Sequence, residues 1–152
     1  MAAAERLSAS GLPAGAWRIV VPVRFSHCDP AGIVYFPRFF DMINGVVEDW
    51  FPGALGFQHH VFIRDRRIGL GPAHAEADFY KPGFLGDELV FAVLVDRIGN
   101  ASVSLTVHAH RGEEPVLVAR LIIVITSLDL HRSVAIPDDL RAALERYQER
   151  CR

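Results

Sequence analysis

The amino-acid sequence predicts an α+β domain in which one long helix lies across a mostly antiparallel sheet. Apolar residues between positions 37 and 51 recur at three- and four-residue spacing, as they do on one face of a helix. Four later segments either alternate apolar and polar residues or are continuously apolar, as strands do. A helical face this apolar needs a sheet to cover it, so the two patterns indicate one layered domain.

The size and charge of the chain restrict the possible functions. Its 152 residues suit one domain, and a hydrophobic content of 51% is enough to build a core. The formal net charge of −2 leaves no basic field for nucleic acid, so we expect no nucleic-acid partner.

Residues 1–16 lack the continuous apolar stretch that is typical of a signal peptide, and no later run approaches the ~20 apolar residues of a membrane span. Cys28 and Cys151 are far apart and share no metal-ligand spacing, which is typical of free thiols in a reducing compartment. We therefore expect a cytoplasmic protein that does not enter the membrane. Residues 1–16, rich in Ala, Ser and Gly, are predicted to form a flexible tail before a single domain at 17–152.

The elements follow from the periodicity and the turn residues. A strand is expected at 17–25, with Pro22 indicating an edge or a bulge. The long helix should begin at Pro37 and stop cleanly at Pro52-Gly53, followed by an unassigned stretch at 54–71. Further strands are expected at 73–80, 89–98, 102–110 and 116–128, joined by hairpin-like turns, and a short C-terminal helix after Pro137.

Residues 27–37 are the most unusual segment, because they are apolar around a single carboxylate, Asp29, and lead directly into the long helix. The N-terminus of a helix presents free backbone N–H groups and stabilises anions. A carboxylate beside such donors could act as a base or a nucleophile while the donors hold an oxyanion. Asp-Pro is also a common turn former, so these residues alone leave a structural and a catalytic interpretation open.

Residues 28–37, Cys-Asp-Pro-Ala-Gly-Ile-Val-Tyr-Phe-Pro, resemble the signature of the 4-hydroxybenzoyl-CoA thioesterase family. The helix that follows, the strand order and Ile136-Pro137 after the last strand extend the resemblance over residues 20–140. It implies a hotdog fold, a curved antiparallel sheet wrapped around one long central helix. It also implies an acyl-CoA thioesterase without a cofactor, whose subunits pair edge to edge as homodimers that commonly form homotetramers.

The resemblance also implies roles for individual residues. Asp29 would attack the thioester carbonyl or activate water, and the backbone N–H of Phe36 would polarise that carbonyl. The substrate, held partly by the partner subunit, would contact Gly32, Ile33, Val34, Tyr35 and Pro37 near the acyl group and Arg97 and Arg132 near the CoA nucleotide. The turn at 97–102 has only Arg97 where the specialised family member has a basic cluster that meets the CoA phosphates. A thioester carried by a carrier protein instead of CoA is therefore left open as the substrate.

Other chemistries fit the residues less well. Ser26, His27, Cys28 and Asp29 include the letters of a catalytic triad, but successive side chains of an extended segment point to opposite faces. Histidines at 59, 60, 108 and 110 occur in pairs without a third ligand, so no metal site is expected. Two alternatives remain: a hotdog-fold enoyl-thioester hydratase, which the Asp-Pro-Ala-Gly segment does not fit, and a non-catalytic thioester-binding domain, which has no use for a costly carboxylate in its pocket.

Overall fold

The structure is a computed structural model that describes residues 4–152. Its strands and helices are numbered in chain order. The strands are β1 (Arg18–Pro22), β2 (Ile68–Phe79), β3 (Glu88–Ile98), β4 (Ser102–Arg111), β5 (Glu114–Ser127) and β6 (Arg132–Ser133). The helices are α1 (Phe36–Trp50), α2 (His59–Arg64) and α3 (Asp138–Arg150).

The strands form one antiparallel sheet in the order β1-β3-β4-β5-β2, and β6 adds to the end of β5. Tight connections join β3 to β4, β4 to β5 and β5 to β6. The expected hairpin between β2 and β3 is wrong, because these strands lie on opposite sides of β4 and β5. The edges are therefore β1 and the much longer β2.

Helix α1 lies on the inner face of the sheet and forms the core with it. Its buried side chains are Phe39, Met42, Ile43, Val46, Val47 and Trp50. They meet the alternate residues of β3, β4 and β5 that face inward, among them Leu89, Phe91, Leu105 and Leu117, all at most 1% exposed. The predicted α+β architecture, a curved antiparallel sheet around one long helix, is confirmed.

The ends of α1 differ from the prediction. The helix begins at Phe36 rather than Pro37, and it does not stop cleanly at Pro52-Gly53. The chain continues through a π-helical turn, Phe51–Leu55, to Gly56 at φ 82°. Proline is tolerated in the first turn of a new helical segment, since its missing N–H has no helical partner there.

The structure differs from the sequence prediction in two further segments. The unassigned stretch at 54–71 contains α2 and the beginning of β2, which starts at Ile68. Phe25, predicted to end the first strand, instead opens a one-turn 3-10 helix, Phe25–His27, and is 83% exposed.

The N-terminal segment lies against the outer face of the sheet, contrary to the expectation of a loose tail. Leu12 and Ala16 are buried. The backbone N–H of Ser10 donates to Oε2 of Glu113 over 2.9 Å, and Nε2 of His110 is 2.8 Å from the Leu7 carbonyl oxygen. These contacts cover polar side chains in the middle of the sheet. Residues 1–3 of the predicted tail lie outside the described residues.

One of the covered side chains, His108, makes stability depend on pH. It is 3% exposed, and within residues 4–152 its Nδ1 atom has no hydrogen-bond partner. Burial, together with the nearby His110, lowers the pKa of His108 from 6.5 to about 4. Between those values the unfolded chain binds a proton that the folded protein does not, so the free energy of unfolding rises with pH across this window.

We expect the wild type to lose up to about 3 kcal/mol of stability through His108 as the pH falls from 6.5 to 4. His108→Gln should remove that part of the pH dependence, because the group no longer titrates. Urea unfolding at pH 6.5, 5.5 and 4.5 measures the free energy of unfolding of both proteins. His60→Gln, at an exposed position, is the control for losing a histidine. Identical pH dependence in His108→Gln and the wild type would contradict the prediction.

Candidate active site

The loop that carries Asp29, residues 28–34 (the Asp29 loop), is a tight antiparallel turn. Cys28 pairs with Val34, and the Asp29 N–H donates to the Ile33 carbonyl over 2.9 Å. At its tip Gly32 has φ 76°, a conformation that disfavours any residue with a side chain. The loop is thus closed by hydrogen bonds of its own backbone.

The Asp29 carboxylate is oriented by a hydrogen bond to one of its two oxygens. Oδ1 accepts a hydrogen bond from the Ala31 N–H over 2.8 Å, the usual way in which an Asp side chain fixes the turn that follows it. The side chain is half-buried, and within the described chain Oδ2 has no hydrogen-bond donor. One oxygen therefore orients the carboxylate and the other is available for chemistry.

The first turn of α1 offers a free backbone donor, the N–H of Phe36. Pro37 has no N–H, and the Arg38 N–H donates to the Tyr35 carbonyl over 2.7 Å. Among residues 4–152 the Phe36 N–H has no acceptor. Because the Tyr35 N–H donates to the carbonyl of His27, over 2.9 Å, the helix start is fixed to the chain just before Asp29. A carboxylate and a donor at the positive end of a helix thus belong to one short, hydrogen-bonded unit.

A second loop, residues 82–87 (the support loop), pairs with the back of the Asp29 loop. The Val34 N–H donates to Gly83 over 2.8 Å, the Leu85 N–H donates to Gly32 over 3.0 Å, and Ile33 pairs with Phe84. A Cβ at Gly83 would lie 3.0 Å from Cγ2 of Val34, so a side chain there would require Val34 to shift by a few tenths of an ångström. The Asp29 loop is therefore positioned by residues that lie 49 to 53 positions later in the sequence.

Aromatic side chains surround the site on the outside. Tyr35, Phe36, Phe79 and Phe84 (the aromatic surface) are 52%, 60%, 42% and 46% exposed. The rings of Phe36 and Phe79 are 6.4 Å apart and join α1 to the end of β2. Grouped exposed aromatic residues mark a surface that a ligand or another protein covers.

A cavity of about 170 Å³ lies between α1 and edge strand β2. It begins at Phe40, one helical turn after Phe36. Most of its walls are apolar, and its polar side chains are Asn44, Glu48 and His59. Burial lowers the pKa of His59, while the negative charge of Glu48 opposes that shift. The cavity is a mainly apolar space with a few polar groups, the usual composition of a small-molecule site.

The profile of the thioesterase-like superfamily matches residues 23–144. The chain belongs to this superfamily. The resemblance carried by residues 28–37 is therefore confirmed, and the Asp29 loop, α1 and strands β2 to β6 all fall within the matched part of the chain.

Relatives and solved structures agree with that membership. A 1,4-dihydroxy-2-naphthoyl-CoA hydrolase from Synechococcus elongatus is 26% identical over 124 residues, which are 81% of this chain and 90% of that protein. The crystal structure of a 1,4-dihydroxy-2-naphthoyl-CoA thioesterase from Synechocystis superposes with a TM-score of 0.78 at 20% identity, covering 85% of this chain and 95% of that one. A gentisyl-coenzyme A thioesterase superposes with a TM-score of 0.76 at 21% identity, covering 85% and 99%. At these identities the superpositions establish the hotdog fold.

The structure brings some of the expected substrate-binding residues to Asp29 and not others. Gly32, Ile33, Tyr35 and Pro37 lie at or beside the loop with at least part of their surface accessible, whereas Val34 is buried beneath it.

Arg97 and Arg132 lie elsewhere in this thioesterase-like domain. Strand β3 starts beside the Asp29 loop at Glu88, and Arg97 is nine residues further along it, roughly 30 Å at about 3.3 Å per residue. Arg132 pairs with Ser127 at the same distant end of the sheet. Within one chain, neither arginine reaches the Asp29 loop.

The discounted groups near Asp29 have structural partners. Nδ1 of His27 accepts a hydrogen bond from the Arg24 N–H over 2.9 Å, and Sγ of Cys28 donates to the Arg24 carbonyl over 3.4 Å. The 3-10 turn at Phe25–His27 replaces the extended segment assumed in rejecting a triad. In residues 4–152 no group of three or more His, Cys, Asp or Glu side chains could hold a metal, and no helix is long and apolar enough to cross a membrane.

Sequence reasoning missed the support loop and Phe79. Gly83 and the Gly86-Asp87 pair indicate a loop between β2 and β3, but nothing local to them shows that this loop returns to the Asp29 loop. That contact is visible only once the sheet order is known.

Proposed function

We propose that the protein hydrolyses an acyl-CoA thioester to the free acid and CoA at the Asp29 loop. The observation that carries the proposal is that the Asp29 carboxylate and the unused N–H of Phe36 at the start of α1 belong to one short, hydrogen-bonded segment. Oxyanions form in acyl transfer, and a fixed N–H at a helix N-terminus stabilises them. The relatives named as CoA thioester hydrolases support the same reaction.

Asp29 can act in two ways at this position. As a nucleophile, its free oxygen attacks the thioester carbon, the Phe36 N–H holds the oxyanion, and collapse expels CoA as a thiolate. Water then cleaves the resulting acyl-aspartyl anhydride and regenerates the carboxylate. As a general base, Asp29 takes a proton from water while that water attacks the same carbon. Both routes release one thiol and one acid per turnover.

The acyl group is expected to lie along α1 in the cavity that starts at Phe40. Four residues of helix place Phe40 about 6 Å along the axis from the Phe36 N–H, so a carbonyl bound there directs its substituent toward the cavity. An apolar cavity of about 150 Å³ is large enough for benzene, so one of about 170 Å³ suits a single ring or a short branched chain. Ile33, Tyr35 and Pro37 would border the entrance, with Gly32 leaving room for the thioester.

A second copy of the chain is expected to complete the site. Edge strand β2 is exposed over much of its length and ends beside the aromatic surface, so β2 of two subunits could pair and bury both features. An antiparallel pairing would bring the far end of the partner's sheet toward this Asp29 loop. That arrangement is the one in which Arg97 and Arg132 could meet the CoA nucleotide. Further pairing into a tetramer and a cytoplasmic location stay predictions from the sequence.

The activity itself is tested with purified protein and a panel of benzoyl-, 4-hydroxybenzoyl-, gentisyl-, 1,4-dihydroxy-2-naphthoyl-, hexanoyl- and crotonyl-CoA, with thiol release followed by a thiol reagent. We expect saturable thiol release with at least one aromatic acyl-CoA. Addition of water to crotonyl-CoA without thiol release would favour a hydratase, and binding without turnover on the whole panel would favour a thioester-binding domain. Light scattering during gel filtration measures the expected dimer or tetramer.

A further inference from the structure

One arginine at the end of β4, Arg111, joins the support loop to the sheet through side-chain hydrogen bonds. Nη1 of Arg111 donates to Oδ2 of Asp87 over 2.9 Å and to the Pro82 carbonyl over 3.0 Å. The same Asp87 oxygen accepts the N–H of Phe84 over 2.9 Å. Two side chains therefore tie together the first, third and last residues of the support loop and join them to the sheet.

The same two residues also fix the neighbours of the loop. The guanidinium carbon of Arg111 is 5.3 Å from the centre of the Phe84 ring, and Nη2 donates to Oε1 of Glu114 over 2.7 Å. The Asp87 carbonyl accepts the Val23 N–H over 2.8 Å, at the end of the first strand. Arg111 and Asp87 are 31% and 20% exposed, so solvent screens their attraction less than that of a surface pair.

We propose that Arg111 and Asp87 are a positioning pair that holds the Asp29 loop in its reactive geometry. This role rests on the proposed function. The connection is continuous: Arg111 and Asp87 fix the support loop, whose Gly83 and Leu85 bond the residues on either side of Ile33. Asp29 is in turn bonded to Ile33. A displacement of about 1 Å at a reacting group can cost about 10²-fold in rate, so loosening this connection reduces turnover without removing a reacting group.

The arginine is not available for the phosphates of CoA. Its guanidinium already contacts two carboxylates and a carbonyl, which satisfy most of its donors. A phosphate-binding arginine would affect substrate affinity, whereas a positioning arginine affects the rate of the bound complex. The two roles are therefore separable by steady-state kinetics.

The test compares Arg111→Gln, Asp87→Asn and the double variant with the wild type. We expect each single substitution to lower kcat by about 10- to 100-fold with KM changed less than about three-fold. The double variant should lose little more than either single one, because the two residues act as one unit. Arg111→Lys should recover part of the loss, since an ammonium can still pair with Asp87 but cannot also reach Pro82 and Glu114.

Arg66→Gln is the matched control. It also breaks a partly exposed arginine–carboxylate contact, Nη2 of Arg66 to Oδ2 of Asp139 at 2.9 Å, but this contact joins the turn after α2 to α3. All variants are assayed well below their unfolding temperatures. The proposal is wrong if Arg111→Gln lowers kcat no more than Arg66→Gln, or if the two losses at Arg111 and Asp87 multiply. If Arg111→Gln does not fold, Arg111→Lys and Asp87→Asn still decide through the same kcat and KM measurements.

Acyl-pantetheine, which lacks the nucleotide, distinguishes a positioning role of Arg111 from a contact with the CoA phosphates. The positioning pair should matter equally for acyl-CoA and acyl-pantetheine, and a defect confined to acyl-CoA would overturn the proposal in favour of a phosphate contact. Asp29→Asn is assayed in parallel. Turnover that persists in Asp29→Asn overturns the catalytic assignment itself, whereas loss there with full activity in Arg111→Gln overturns the positioning pair alone.

Discussion

Asp29→Asn should lower kcat for acyl-CoA hydrolysis by about 10²- to 10⁴-fold. An asparagine amide is neither a base nor a nucleophile at neutral pH, so both routes through Asp29 are lost. Its Oδ1 can still accept the Ala31 N–H, so the loop should keep its shape and KM should change little. Thiol release under saturating substrate measures kcat, and thermal unfolding checks that the fold is intact.

The control for Asp29→Asn is Asp49→Asn, which removes a carboxylate from the exposed side of α1 and should retain wild-type activity. Asp29→Glu adds a second comparison, because it keeps the carboxylate but moves it by one methylene. We expect its rate to lie between those of the wild type and Asp29→Asn. Equal kcat values for Asp29→Asn and wild type would show that another group performs the chemistry.

Local patterns were enough to predict the parts of the site that are contiguous in sequence. The change from period two to period 3.6 places the start of α1 within one residue, and the Asp-Pro-Ala-Gly turn places Asp29 immediately before it. Both features depend on residues within a few positions of one another. The start of α1 is therefore predicted to within one residue, whereas the roles of Asp29 and Phe36 stay predictions.

Contacts between distant segments could not be predicted in the same way. Hydrophobic periodicity shows that β2 and β3 are strands, but not that β4 and β5 separate them. That order decides which loop reaches Asp29 and which end of the sheet carries Arg97. The composition of residues 4–16 likewise predicts a tail. The hydrogen bonds of this segment with Glu113 and His110 could not be predicted, because single hydrogen bonds leave no periodic pattern in the sequence.

The Phe36 N–H can be removed by one substitution, Phe36→Pro. Proline is favoured in the first turn of a helix, and Tyr35, at φ −65° and ψ 120°, already has the conformation required before a proline. Among the described residues this N–H has no acceptor, so no intramolecular hydrogen bond is lost. We expect kcat to fall by about 10²- to 10³-fold, the usual effect of losing one oxyanion donor.

Phe36→Ala is the matched control, because it also removes the exposed ring but keeps the N–H. Any contribution of the ring to substrate binding is then common to both variants, and the ratio of their kcat values isolates the backbone donor. Proline and alanine at this first helical position should differ in stability by no more than about 1 kcal/mol, which thermal unfolding checks. If Phe36→Pro and Phe36→Ala hydrolyse the substrate equally fast, the oxyanion is held by a different donor, and the helix start contributes position rather than charge stabilisation.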